Sequence, residues 1–349
     1  MDARGDAYGI YYSNGYSLMK IVADSKIPYI NGLLENAGHE VVYLPGAETT
    51  ARDVHDAQVL LTRTRTRCDR SLLDGSRVEF IGTATIGTDH IDLDYCRQHG
   101  ITVENAPGCN APAVAQWAHA SILQWLKARE INSPITLGIV GVGHVGSIVA
   151  RWARQLGYRV LLNDPPRANQ EGNEAFSTLE QLQRECDIIT FHTPLTTGGD
   201  YPTWHMCDKQ FLGNLQRCRL IMNAARGAVC DNRALLEWQG DVALDCWEDE
   251  PAISRPLLEK AFVATPHIAG YSLQGKQRGT AMIIDALNRH YGWHIEPPRA
   301  STPVMGADLV TAQSILESYN PLADTALLKN SPGNFELLRN NYPLRQEIK

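Results

Sequence analysis

The apolar positions of this chain fall into two series of short runs separated by helix-like stretches. In the first series, residues 21–23, 41–44, 59–62, 80–82 and 102–103 read as strands. Helical segments between them give a β-α-β order, which predicts a parallel sheet. Residues 106–112, Ala-Pro-Gly-Cys-Asn-Ala-Pro, break the pattern. A long helix is expected over 113–130, where Trp117, Ile122, Leu123 and Leu126 recur at near-helical spacing. The second series opens with a strand at 135–140 and a helix at 147–156. Strands follow at 158–163, 187–191, 220–222, 242–244 and 262–264, with a last helix over 272–291. Beyond 294 the chain turns Pro-rich, with a few amphipathic pieces such as 310–318.

The pattern predicts an α/β protein with two doubly wound parallel-sheet domains and a short C-terminal appendage. The expected boundaries are an extension at 1–18, a first domain at 19–112 completed by 273–293, a second at 113–272, and a C-terminal segment at 294–349. The length of 349 residues suits two domains, and 44% hydrophobic with 20% charged residues allows both to bury cores. A net charge of −7 argues against nucleic acid or a membrane surface as the main partner. No apolar run reaches the length of a membrane span. Residues 1–18 lack a basic start followed by an apolar stretch, so they do not read as a secretion signal. The eight cysteines show neither a CxxC pair nor zinc spacing. No metal site is expected, and scattered thiols suit a reducing compartment, the cytoplasm.

One hexapeptide narrows the chemistry. Gly141-Val-Gly143-His144-Val145-Gly146 lies between an apolar run and a helix-like run, with a second strand-like run ending at Asp164. Gly141 allows the tight turn, Gly143 lets backbone approach a pyrophosphate, and Gly146 lets helix and strand pack closely. The helix N-terminus attracts the anion. Asp164 stands where an acid accepts hydrogen bonds from ribose hydroxyls and repels a 2′-phosphate, which favours NAD over NADP. Arg167 nearby argues the other way.

Three later segments, each after a strand, supply reactive side chains. Arg226, in 223–228, suits a carboxylate held in a fork. Asp245 and Glu250 lie in 245–251, and Glu250 is placed to hydrogen-bond a histidine. His267, in 265–271, is the candidate acid/base, with a side chain that titrates near neutrality. Arg63-Thr-Arg-Thr-Arg67 follows the strand at 59–62. If extended, its arginines share one face and its threonines the other, so an anion is expected nearby. Lys276 and Arg278 are further candidates for a phosphate.

From residue 19 to about 292 the chain resembles the D-isomer-specific 2-hydroxyacid dehydrogenases. The resemblance is carried by 141–146 with Asp164, by 191–195 (Phe-His-Thr-Pro-Leu), and by 223–227, 245–251 and 266–270. It implies a Rossmann NAD domain over 113–272 and a flavodoxin-like substrate domain over 19–112. By it, Arg226 binds the substrate's carboxylate and oxo group, Glu250 orients His267, and His267 moves the proton. Gly141, Gly143, His144, Val145, Gly146, Asp164, Thr193, Ala224, Ala225, Arg226, Asp245 and Gly270 would hold NAD.

Stretches 82–90, 106–111, 164–167 and 267–280 are most similar to the branch that oxidises 4-phospho-D-erythronate in pyridoxal phosphate biosynthesis. That likeness implies a small phosphorylated hydroxyacid as substrate, with Thr64, Thr85 and Tyr271 in contact with it. It also implies a homodimer, and residues 294–349 are short for that branch's dimerisation domain. Hinges are expected near 106–112 and 270–275. Two alternatives stay open on the residues alone. One is a dehydrogenase of the 3-phosphoglycerate or glyoxylate type. The other is an NAD-sensing interaction protein like the corepressors that resemble these enzymes.

Overall fold

The structure, a computed structural model, describes residues 18–299 and 309–348. The expected N-terminal extension therefore lies outside the described residues, apart from an exposed Leu18. The chain divides into two compact units.

The first unit comprises Met1–Cys109 and Lys276–Ala300. Its strands are β1 (Lys20–Asp24), β2 (Glu40–Leu44), β3 (Val59–Thr62), β4 (Phe80–Thr83) and β5 (Thr102–Glu104). All pair in parallel, in the order β2-β1-β3-β4-β5. Side chains alternate between faces along a strand. Ile21, Ala23, Val59, Leu61 and Phe80 therefore meet Ile283, Ile284 and Leu287 of the helix Leu273–Tyr291 on one face. On the other, Val22, Leu60 and Ile81 meet Val54, Leu72 and Cys96. Burial on both faces explains why β3 reads as a continuous apolar run. The connection from β1 to β2 is a series of turns with no regular helix, against the expectation. Pro28 and the positive-φ glycines Gly32 and Gly38 interrupt it.

The second unit comprises Asn110–Gly275 and Ser301–Lys349. Its strands are β6 (Thr136–Val140), β7 (Arg159–Asn163), β8 (Ile188–Phe191), β9 (Leu220–Asn223), β10 (Asp241–Leu244) and β11 (Val263–Ala264). They pair in parallel in the order β11-β10-β9-β8-β6-β7. The helix Ala111–Ala128 packs on one face, burying Trp117 and Trp125 with Leu137, Ile139 and Trp152. It starts two residues earlier than the pattern suggested, because Pro112 sits in the first turn, where its missing N–H costs no hydrogen bond.

Most of the C-terminal segment packs within this second unit, while 294–299 stay with the first. Its helices Ala312–Ser318, Pro321–Asn330 and Phe335–Asn340 place Ile315 and Tyr319 in one core cluster and Leu328 and Phe335 in the other. A buried side chain of this size contributes about 1.5–3 kcal/mol, enough to dock a short helix that has no stability alone. Thr325 Oγ1 also accepts the Ala264 N–H at 3.0 Å, satisfying the short edge strand β11. Among the described residues no helix is long and apolar enough to cross a membrane.

Candidate active site

The strand order of the second sheet reverses at β6, and ligands of such sheets bind at the carboxyl ends of the strands flanking that point. Gly141 follows β6 with φ +85°, and a Cβ there would lie 2.8 Å from the backbone of His192 and Thr193, just past β8. A Cβ at Gly146 would lie 2.1 Å from the Gly141 carbonyl oxygen. Gly143 is different. It caps the helix His144–Gln155, and nothing lies within 4 Å of the place a Cβ would take. The first-turn N–H groups of that helix, at His144, Val145 and Gly146, have no acceptor within it, as helix geometry dictates, and would attract an anion. The buried Thr193 hydroxyl has no hydrogen-bond partner among the described residues.

Asp164 ends β7 and ties it to the turn, its Oδ2 accepting the Val142 N–H at 2.8 Å and its Oδ1 the Arg167 N–H at 3.1 Å. A carboxylate has lone pairs left for ribose hydroxyls. Arg167 is turned to Glu171, with bonds of 2.6 and 2.7 Å, and to the Val142 carbonyl at 2.6 Å. Its fork is therefore not offered to a 2′-phosphate. The cradle at Gly143, the orphaned Thr193 hydroxyl and the acid at Asp164 fit NAD.

The reactive side chains follow β9, β10 and β11, neighbours in the sheet. After β9 come Ala224, half-buried, and Ala225, buried. The Asn223 side chain folds the turn, accepting the Ala225 N–H at 3.0 Å and donating to the Arg226 carbonyl at 2.8 Å. Arg226 is half-buried and donates to the Ala225 carbonyl at 2.8 Å. A Cβ on Gly227 would fall 1.9 Å from the Trp247 carbonyl oxygen, so the loops after β9 and β10 touch backbone to backbone.

Glu250 and His267 meet. His267 Nδ1 lies 2.8 Å from Glu250 Oε2, while Glu250 Oε1 accepts the Trp247 N–H at 2.8 Å. Burial pushes the Glu250 carboxyl up, but the His267 bond and charge, the Trp247 N–H and the Arg339 charge outweigh it and hold it below its usual range. Cys246 lies beside this pair, with ligand atoms of all three within 4.8 Å of one another. Burial pushes its thiol well up, and it donates to the Ala225 carbonyl, so it makes a poor metal ligand.

His267 sits at φ +56°, a left-handed backbone that costs a non-glycine residue on the order of 1 kcal/mol. Contacts from distant parts of the chain hold it there. Its N–H donates to the Asp245 carbonyl at 2.9 Å. The fully buried Asp245 carboxylate accepts Thr265 Oγ1 at 2.6 Å, the Ile268 N–H at 2.7 Å and the Ala269 N–H at 3.0 Å. Asp245, expected to line the cofactor, thus has both oxygens bonded to this loop. Trp117 Nε1 donates to Thr265 Oγ1 and Trp247 Nε1 to the Thr265 carbonyl, both at 3.0 Å. Arg345 donates to the carbonyls of Ile268 at 3.1 Å, of Ala113 at 3.0 Å and of Ala269. Its Nε meets Gln116 Oε1 at 3.1 Å, and its guanidinium lies 4.3 Å from the Tyr319 ring centroid. Ser272 donates to Glu347 at 2.6 Å. A Cβ on Gly270 would fall 1.9 Å from Asn110 Nδ2. The next residue, Tyr271, accepts Arg339 Nε at 3.3 Å.

The motifs did not point to Arg345 or Arg339. The available signal was Gln116, a polar residue in the middle of an apolar helix face, because a fully buried amide needs partners.

Thr64 and Thr85 lie in the first unit, two residues past the neighbouring strands β3 and β4. Thr64 is exposed, and the Thr85 hydroxyl is 2.8 Å from that of Thr83. The expected two-faced Arg/Thr ladder does not form. β3 stops at Thr62 and the chain bends, so Thr66 is buried while Thr64 is exposed. Arg67 pairs with Asp69 at 2.6 Å, and Arg63 donates to the Lys26 carbonyl at 3.1 Å. Arg278 braces backbone, donating to the Cys109 carbonyl at 2.7 Å.

Residues 113–269 match the model of the D-isomer specific 2-hydroxyacid dehydrogenase NAD-binding domain. The chain is 48% identical to erythronate-4-phosphate dehydrogenase of Bacteroides thetaiotaomicron, over 95% of this chain and 98% of that one. Its identity to the enzyme of the same name from Pseudomonas entomophila is 41%, over 95% and 92%. Among solved structures it is similar in fold to 3-phosphoglycerate dehydrogenase of Entamoeba histolytica with NAD bound (TM-score 0.66, 24% identity, 82% of this chain and 99% of that one). D-lactate dehydrogenase of Aquifex aeolicus with NAD and lactic acid is comparable (TM-score 0.64, 24% identity, 78% and 96%). A fold common to these enzymes would not by itself assign chemistry. Identity of this extent along nearly the whole chain does assign a family, and the chain belongs to the NAD-dependent D-isomer-specific 2-hydroxyacid dehydrogenases.

Proposed function

We propose that the protein oxidises 4-phospho-D-erythronate at C2 to 2-oxo-3-hydroxy-4-phosphobutanoate. The observation that carries the chemistry is the 2.8 Å contact between His267 Nδ1 and Glu250. A carboxylate only accepts, so Nδ1 carries the hydrogen and Nε2 presents its lone pair. Nε2 then takes the proton of the 2-hydroxyl, and the Glu250 carboxylate stabilises the resulting imidazolium. Arg226 grips the substrate carboxylate in a fork and draws charge toward the developing oxo oxygen. Bound NAD supplies the hydride acceptor, the nicotinamide C4. Gly141, Gly143, His144, Val145 and Gly146 cradle its pyrophosphate, Asp164 its ribose, and Thr193, Ala224, Ala225 and Gly270 its remaining surface. Thr64, Thr85 and Tyr271 are assigned to the substrate. The phosphorylated four-carbon acid is supported by the names of relatives at 48% and 41% identity.

The test is NADH formation at its absorbance band with synthetic 4-phosphoerythronate, with a 2-oxo acid present to recycle the cofactor. Turnover is expected to exceed that with 3-phosphoglycerate and glycerate. Faster turnover with either of those would reassign the substrate.

The reading extends to a cytoplasmic homodimer. Exposed Leu309, Leu327, Leu337 and Leu344 along the C-terminal segment support pairing of two copies there. Sedimentation of the purified protein at a monomer mass would reject the dimer.

A further inference from the structure

We propose that Arg339 of the C-terminal helix Phe335–Asn340 recognises the phosphate of the substrate, so that this segment sets the preference for a phosphorylated acid over its unphosphorylated counterpart. The proposal rests on the substrate reading above and adds the residue that makes the choice.

Arg339 stands beside the reactive pair within the second unit. Its Nε donates to Tyr271 Oη at 3.3 Å, and Tyr271 lies four residues past His267. Its charge is felt at both Glu250 and Cys246. The side chain is only 16% exposed. A guanidinium mostly removed from water needs an anion or several acceptors, and the protein supplies few. Both Glu250 oxygens are already taken by His267 and Trp247. Glu336 forms an ion pair with Nη1 at 3.8 Å, beyond hydrogen-bond distance, one turn away on the same helix. Among the described residues the Tyr271 hydroxyl is the one group to which Arg339 makes a hydrogen bond. The Nη1/Nη2 edge keeps the flat two-pronged geometry that phosphate oxygens match.

Within the second unit the other cations beside the His267 loop have tasks of their own. Arg226 suits the carboxylate at the carbon being oxidised, and a four-carbon acid phosphorylated at its far end needs a second cation. Arg345 has its donors on the carbonyls of Ala113, Ile268 and Ala269.

The experiment measures kcat and KM with NAD for 4-phosphoerythronate and for erythronate, in the wild type, Arg339→Gln and Arg339→Lys. Arg339→Gln is expected to raise KM for the phosphorylated acid by ~100-fold, the scale for losing one partner of a desolvated charge pair. The KM for erythronate should rise far less than that for the phosphorylated acid, and Arg339→Lys should recover part of the difference. Unchanged NAD affinity, read by fluorescence titration, shows that the variant is folded. Equal losses for both acids would overturn the proposal. So would a fall in kcat with unchanged KM and a displaced pH profile, which would mean that Arg339 acts through Glu250. If the wild type prefers 3-phosphoglycerate, the erythronate reading fails alone, and the same comparison of 3-phosphoglycerate with glycerate decides the role of Arg339. If the wild type prefers unphosphorylated acids, both readings fail.

Discussion

The glycine turn at 141–146 and the His267 loop at 265–271 lie at the same end of one sheet but are held in place by different means. The turn is shaped by its own backbone. Gly141 and Gly146 are there because a Cβ at either would strike main chain, and few side chains are needed to keep the form. The loop carries a strained histidine and is tied down from Trp117, Asp245, Glu250 and Arg345, which lie far away in sequence. A cofactor cradle has only to present N–H groups, which secondary structure does unaided. A proton acceptor must keep one ring nitrogen aimed at one oxygen, and that takes positioning from several directions.

The largest effect should break the loop's function and spare the turn's. His267→Ala is expected to cut kcat by ~10²–10⁴ while NAD still binds, as steady-state rates and cofactor titration would show. Arg345→Ala leaves the ring in place but frees the Ile268 and Ala269 carbonyls, and a shift of about 1 Å there costs ~10²-fold in kcat. If NAD affinity fell as far as kcat, turn and loop would be a single unit and the contrast would be wrong. Gly146→Ala attacks the turn. A Cβ 2.1 Å from the Gly141 oxygen should cost about 1–3 kcal/mol in urea unfolding and weaken NAD binding.

The turn does have one distant tie, and it should show in acid. His119, fully buried, is 3.0 Å from the Val149 carbonyl in the helix that starts at the turn, and burial pushes its pKa down to about 4. The unfolded chain then takes up the proton first as pH falls. The stability this neutral ring supplies is complete above about 6.5 and declines toward about 4, by at most ~1.4 kcal/mol per pH unit. Melting temperatures across that window should fall in the wild type and fall less in His119→Gln. The smallest change is Gly143→Ala. Its φ of −74° accepts alanine and its Cβ meets nothing, so stability should shift by less than about 1 kcal/mol while the KM for NAD rises. An unaltered KM would mean that the pyrophosphate lies elsewhere.

The same contrast explains what could be read from the chain alone. Both sheets were legible because buried parallel strands leave apolar runs, and the turn because its glycines are required one by one by local geometry. Arg226, Glu250 and His267 were legible as short motifs after strands, although only the fold brings Glu250 and His267 to 2.8 Å. The helix after the turn begins at His144 and not 147, since the glycine segment itself supplies the first helical turn. Arg63–Arg67 was misread because alternation was carried past the point where hydrogen bonding to β4 ends. Arg345 and Arg339 act as single polar side chains across 68 residues or more, and contacts of that kind leave no period in the sequence.

The tie from residues 345–347 to the His267 loop has a consequence for biosynthesis. Translation delivers every strand of the described residues first and this fastening later. A nascent polypeptide therefore gains its glycine turn before the His267 loop is locked. A product nicked by a protease between the last strand and Arg345 should retain NAD yet be a poor catalyst, so loss of turnover in a stored preparation can precede any loss of cofactor affinity.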